Sequence, residues 1–147
     1  MTRILFVCTG NTCRSPMAEA ILKSKSIPGI EVRSAGVFAG VGSAASPNAK
    51  KVLEENDIFH EHHSTLLTKA EVDWATYILT MTGAHKESVI SQFPYAANKT
   101  FTLHEFAGND AGGDIADPYG GPVHLYRQTY QEIHEAIDKI ITRLKNI

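Results

Sequence analysis

Arg3-Ile4-Leu5-Phe6-Val7-Cys8-Thr9-Gly10-Asn11-Thr12-Cys13-Arg14-Ser15-Pro16 is the stretch whose reading decides the fold. Arg3 to Val7 is a short apolar run of strand formers, too brief for a helix, and it predicts a strand buried on both faces. Thr9-Gly10-Asn11-Thr12 is a polar turn. Ser15-Pro16 then signals a helix start, with the serine as N-cap and proline in the first helical position, where its missing N–H costs nothing. Met17, Ala20 and Ile21 share one face of that helix. A buried strand that passes through a tight turn straight into a helix is the opening unit of an α/β sheet.

Outward from this unit the alternation continues. Pro28-Gly29 marks a turn, and Ile30 to Ala35 alternates apolar and polar residues as a strand does. The segment from Val37 to Ser46 is rich in glycine and serine and predicts a loop. Ser46-Pro47 repeats the helix-start signal, for a helix to about Asn56. Trp74 to Met81 predicts a third strand, Thr82-Gly83 a helix to Gln92, and Thr100 to Leu103 a short fourth strand. Gly108 to Gly121, with five glycines and three aspartates, predicts a loop. Pro122 opens a final helix in which Tyr126, Tyr130, Ile133, Ile137, Ile140 and Leu144 recur three or four apart. The order implies an α/β fold: one domain over residues 1–147, with a four-stranded parallel sheet and helices on both faces. Ligands of such sheets bind beyond the carboxyl ends of the strands, where the loop after Cys8 and the 108–121 loop both lie.

Composition narrows the function classes. The chain has 147 residues, 43% hydrophobic and 20% charged, as an ordinary globular domain does. A net charge of -2 offers no basic field for nucleic acid or an anionic membrane, so neither is expected as a partner. No segment approaches the roughly 18 to 20 apolar residues of a membrane span. No signal peptide is visible, and the two cysteines, Cys8 and Cys13, are too few for a disulfide framework. A cytoplasmic location with reduced thiols is the expectation.

Cys8 to Ser15 reads C-x5-R-S. A five-residue loop between strand and helix can wrap one oxyanion with successive backbone N–H groups, and the helix that follows adds its partial positive charge at the same point. Gly10 permits close approach or a positive φ. Arg14 offers a planar fork for two phosphate oxygens. A cysteine at the base of such a cradle is expected to ionise well below its free value of about 8.5 and so to be nucleophilic at neutral pH. Ser15 is placed to donate to that sulfur as well as to cap. Departure of a leaving group from phosphorus calls for a proton, and Asp117, stiffened by Pro118 and followed by Gly120-Gly121, is the candidate acid. Asp110 and Asp114, beside glycines, read as turn residues. The candidate catalytic residues are therefore Cys8, Arg14 and Asp117. Thr9, Gly10, Asn11, Thr12, Cys13, Ser15 and Tyr119 are candidates for substrate binding, and no metal or cofactor is expected.

These residues resemble the low-molecular-weight protein phosphatase family over nearly the whole chain. The loop at the extreme N-terminus, Asp117-Pro118 before the last helix and Ser34-Ala35-Gly36 after the second strand all fit the family pattern. The resemblance implies a cysteinyl-phosphate intermediate, phosphorylated proteins as substrates, and Asn11 and Ser34 as residues that hold the loop in shape; it leaves the oligomeric state open. It also implies that a reversible Cys8–Cys13 disulfide would shield the nucleophile. Thr12, where many tyrosine-directed members carry isoleucine, together with Asp117-Pro118-Tyr119-Gly120-Gly121, is similar to the protein-arginine phosphatase branch, with a tyrosine phosphatase as the second reading. Tyr119 would stack on a guanidinium or a phenyl ring alike. A thioredoxin-coupled arsenate reductase would need further cysteines, and none follows Cys13. A phosphate-binding module without catalysis would need neither nucleophile nor acid. His60, His62 and His63 read as a solvated loop, Trp74, Tyr77 and Phe101 as core or its edge, and Tyr126 and Tyr130 as packing.

Overall fold

The computed structural model describes residues 1–108 and 113–146. Four parallel strands, β1 Thr2–Cys8, β2 Ile30–Gly36, β3 Tyr77–Thr80 and β4 Thr100–Thr102, form one sheet in the order β2-β1-β3-β4. Among the described residues six α-helices accompany them: α1 Arg14–Ser24, α2 Pro47–Glu55, α3 Lys69–Trp74, α4 Gly83–Gln92, α5 Leu103–Ala107 and α6 Val123–Lys145. A 3₁₀ turn, Pro94–Lys99, leads into β4.

The central strand shows why the opening apolar run is unbroken. Its side chains alternate between two cores: Ile4, Phe6 and Cys8 face one with α1, α2, α5 and α6, and Leu5 and Val7 face the other with α3 and α4. All are buried, so neither face tolerates a polar residue. Truncating Phe6 to alanine in such surroundings costs about 3–5 kcal/mol. The β1–β2 register sets Phe6 against Ser34 and Cys8 against Gly36, so both strands end level.

Four sequence expectations change at this stage. Ser15 is not the N-cap of α1; the helix begins two residues earlier, at Arg14, Cys13 takes the cap position, and no side chain caps it. Trp74 closes α3 rather than opening a strand, because its ring packs at the edge of the sheet with the Arg33 guanidinium 4.3 Å above it. Leu103 begins α5, where Thr102 and Glu105 form a reciprocal capping box. His62 is buried, contrary to the solvated reading, and His60 is half-buried. By contrast, Ser46 caps α2 and Thr82 caps α4 through their side chains as the sequence implies. Tyr126, Tyr130, Ile133, Ile137 and Ile140 are the buried face of α6, with Leu144 at its margin.

Candidate active site

The carboxyl end of β1 runs directly into the turn that carries the candidate nucleophile, and the segment before α6 closes over it. Met81 donates to the carbonyl of Val7 at 3.0 Å, and Ile115 donates to the carbonyl of Met81 at 2.8 Å. This ladder extends the ends of β1 and β3 to a buried Ile115, two residues before Asp117. Arg14 Nη1 donates to the Ile115 carbonyl at 2.8 Å, so the arginine is aimed across the turn rather than into solvent. A cavity of about 370 Å³ results, with Cys8, Thr9, Gly10, Thr12, Cys13 and Arg14 on its floor and wall and Asp117, Tyr119 and Phe38 around its mouth.

Cys8 Sγ is buried and lies 2.8 Å from the Ser15 hydroxyl. Burial pushes the thiol up, against the depression expected from the sequence. Four groups pull the other way: the Ser15 hydroxyl, the backbone N–H groups of Ser15 and Asn11, and the positive charge of Arg14. These groups converge on the sulfur as a thiolate requires, but desolvation outweighs them.

The turn is shaped by Asn11, which adopts the left-handed conformation with φ 57°, as asparagine tolerates better than most residues. Its Nδ2 donates to Ser15 Oγ at 2.8 Å and to Ser34 Oγ at 2.9 Å, its Oδ1 accepts from Thr65 N at 2.8 Å, and its carbonyl accepts from His62 Nε2 at 2.6 Å. Asn11 and Ser15 therefore lie beneath the cavity, their side chains turned inward, while the other sequence-nominated residues line it. Gly10 needs neither a positive φ nor unusual room: a Cβ there would meet only Thr12 Oγ1 at 3.7 Å. The glycine that the turn requires is Gly36, where a Cβ would stand 2.5 Å from the Thr9 carbonyl and 2.9 Å from Asn11 N.

Asp117 faces Arg14, with Oδ2 3.5 Å from Nη2, and its other oxygen accepts from Tyr119 N at 3.0 Å across Pro118. Asp114 is committed elsewhere, accepting from Gly83 N at the start of α4. Asp110 lies outside the described residues. Cys13 is a free thiol, as Cys8 is, 3.4 Å from Ser46 Oγ and 3.5 Å from the Tyr126 hydroxyl. Tyr126 is thus a packing residue that also meets the turn.

Sequence reasoning missed His85. It lies in the first turn of α4, 2.8 Å from Thr9 Oγ1 through Nε2, while its buried Nδ1 has no hydrogen-bond partner among the described residues. Burial, followed by the charge of Arg14, lowers it to about 4, so the ring is neutral at ordinary pH. The Thr82-Gly83 cap foretold a helix start there, and only the chain path shows that this helix end faces Thr9. Glu19 was missed too. It is buried in α1, accepts from Ser34 Oγ at 2.6 Å and pairs with Lys23 at 2.9 Å. His60, His62, Ser34 and Lys23 together hold its carboxyl well below the carboxylate range although burial opposes them.

Comparison with known proteins agrees with this geometry. The sequence profile of the low-molecular-weight phosphotyrosine protein phosphatases matches residues 3–147. A protein-arginine-phosphatase of Geobacillus stearothermophilus is 54% identical over 144 residues, covering 97% of this chain and 96% of that one. The low-molecular-weight protein-tyrosine-phosphatase PtpB of Staphylococcus epidermidis is 40% identical, covering 94% and 96%. Among solved structures, the YwlE arginine phosphatase from Geobacillus stearothermophilus superposes with a TM-score of 0.97 at 52% identity, over 99% of this chain and 94% of that one. A cysteine-to-serine mutant of the YwlE arginine phosphatase with a phosphorylated active-site serine superposes with a TM-score of 0.94 at 42% identity, over 98% and 96%.

Proposed function

The chain belongs to the low-molecular-weight phosphotyrosine protein phosphatase family, and on that premise we propose that it hydrolyses phosphoarginine in proteins through a phosphoenzyme on Cys8. The observation that carries the reading is a sulfur at the floor of a cavity, at the N-terminus of a helix, with Arg14 and Asp117 meeting across it.

The cycle has two displacements. Cys8 attacks phosphorus in line as the thiolate, the form that the Ser15 hydroxyl, the Ser15 and Asn11 amides and Arg14 favour against burial, while Arg14 and the amides of the turn hold the equatorial oxygens. The S–P bond forms as the P–N bond breaks. A guanidine leaves only if its bridging nitrogen receives a proton, and Asp117 Oδ2, free at the mouth once the phosphoryl group takes Arg14, supplies it. Asp117 then accepts a proton from water. The water oxygen attacks phosphorus, the S–P bond breaks, and phosphate departs with Cys8 again a thiolate. The Ser15 hydroxyl serves the sulfur in both of its charged moments.

Selection of the arginine derivative rests on Thr12 and Asp117. Thr12 leaves a hydroxyl and free space on the cavity wall where a larger apolar side chain would crowd the phosphorus. Once it has given up its proton, ionised Asp117 can pair with the departing guanidinium. Exposed Phe38 and Tyr119 offer ring faces to a flat cation or to a phenyl ring, and so support the tyrosine ester as the second reading. The free, buried cysteines suit a reducing compartment, for which the cytoplasm is the natural assignment.

Turnover of a phosphoarginine peptide and of its phosphotyrosine counterpart tests this. The ratio of kcat/KM should favour phosphoarginine and move towards phosphotyrosine in Thr12→Ile. A strong preference of the native chain for the tyrosine ester defeats the assignment, and an unmoved ratio removes Thr12 as selector.

A further inference from the structure

On the other side of Asn11 from the cavity, three side chains converge that do not line it. Glu19 comes from the second turn of α1, and His60 and His62 from the segment between α2 and α3. Glu19 Oε1 lies 3.6 Å from His60 Nε2 and 3.5 Å from His62 Nδ1, and the three atoms all fall within 4.8 Å of one another. A tetrahedral ion with ligand bonds of about 2.0–2.2 Å sets its ligand atoms about 3.3–3.6 Å apart, so the carboxylate edges already stand near the required length.

The surroundings are those of a held ligand set. His62 donates Nε2–H to the Asn11 carbonyl, which fixes the ring with Nδ1 turned toward the carboxylate oxygen. His60 Nε2 is buried, has no hydrogen-bond partner among the described residues and faces the same oxygen. Glu19 Oε2 is fixed by Lys23 and Oε1 by the Ser34 hydroxyl, so the carboxylate cannot rotate away. Metal-binding histidines commonly donate their second N–H to a backbone carbonyl in this manner, and metal-binding carboxylates are themselves hydrogen-bonded. A cleft of about 330 Å³ opens beside the three residues and leaves access for an ion and a water as fourth ligand.

We infer that Glu19, His60 and His62 form a binding site for a divalent transition-metal ion of the imidazole-preferring class, zinc or its cobalt and nickel analogues. Two nitrogens and one carboxylate oxygen suit that class rather than magnesium or calcium, which seek oxygen alone. The site is one hydrogen bond from the anion cradle, through His62 and Asn11.

Zinc titrated calorimetrically into the Cys8→Ser protein, which lacks the competing thiolate, should bind one ion per chain and raise the melting temperature. In the same background His60→Ala should weaken binding at least about tenfold and abolish the thermal shift, as loss of a ligand does. His63→Ala, an exposed neighbour, should change neither. No binding at millimolar zinc, or equal binding with and without His60, overturns the site. Should His60→Ala fail to fold, cobalt absorption of the native chain decides: d–d bands without thiolate charge transfer support the site, and a charge-transfer band puts the metal on a cysteine and refutes it.

Discussion

The two walls of the cavity are built to different standards of order. On the nucleophile's side Asn11 and Ser15 are 0% exposed, Cys8 3% and Arg14 5%, and each is tied to more than one element. On the other wall the Asp117 side chain is 50% exposed and Tyr119 is 76% exposed, and Asp117 holds its place by one turn bond and one ion pair at 3.5 Å. The difference suits the proposed chemistry. A field that must stabilise charge on sulfur and phosphorus works only if its dipoles need no reorientation during reaction. A group that hands over a proton must also let a bulky substrate past it.

If that contrast is sound, the two walls fail differently when cut. Cys8→Ser should abolish turnover, by more than about 10⁴-fold, since no other group forms the covalent bond; substantial residual turnover would end the assignment of Cys8. Asp117→Asn should cost less, about 10² to 10⁴-fold, the usual range for a positioned acid. Its loss should be greater for an aryl phosphate with a poor leaving group than for p-nitrophenyl phosphate, with inhibition by inorganic phosphate little changed. An equal loss on both esters would show that Asp117 positions rather than protonates.

The smallest effect concerns the floor of the site. His85, at about 4, is neutral in the fold where the unfolded chain would take up a proton near 6.5. Its contribution to stability is complete above pH 6.5 and is lost as the pH falls from there to 4, because the unfolded state binds the proton first. His85→Gln should flatten the fall in melting temperature across that window and leave the value at pH 8 nearly unchanged. Parallel curves for the two proteins would clear His85 of this role.

The nucleophile's wall was largely legible in the sequence because it is contiguous: strand, turn and helix follow within fourteen residues, and C-x5-R-S carries its own chemistry. Asp117 was legible through its proline and glycines. The supports were not. His62, His85, Glu19 and Gly36 act through the packing of segments distant in sequence, and a buried histidine reads the same in sequence as an exposed one. The cap assignment for Ser15 failed for a related reason: the local rule favours serine at N-cap, but the sulfur seven residues back claims its hydroxyl. The thiol moved opposite to expectation because local charge was weighed without the desolvation that two surrounding cores impose.

Asn11 gives the site a polarity in the literal sense. Its amide nitrogen donates to two serine hydroxyls, and each is thereby free to point its own hydrogen onward, Ser15 towards the sulfur and Ser34 towards Glu19. Both wires run outward from a single NH₂ group. An aspartate in its place would reverse the current at its source: an oxygen would face two oxygens, and a negative charge would sit beside the nascent thiolate.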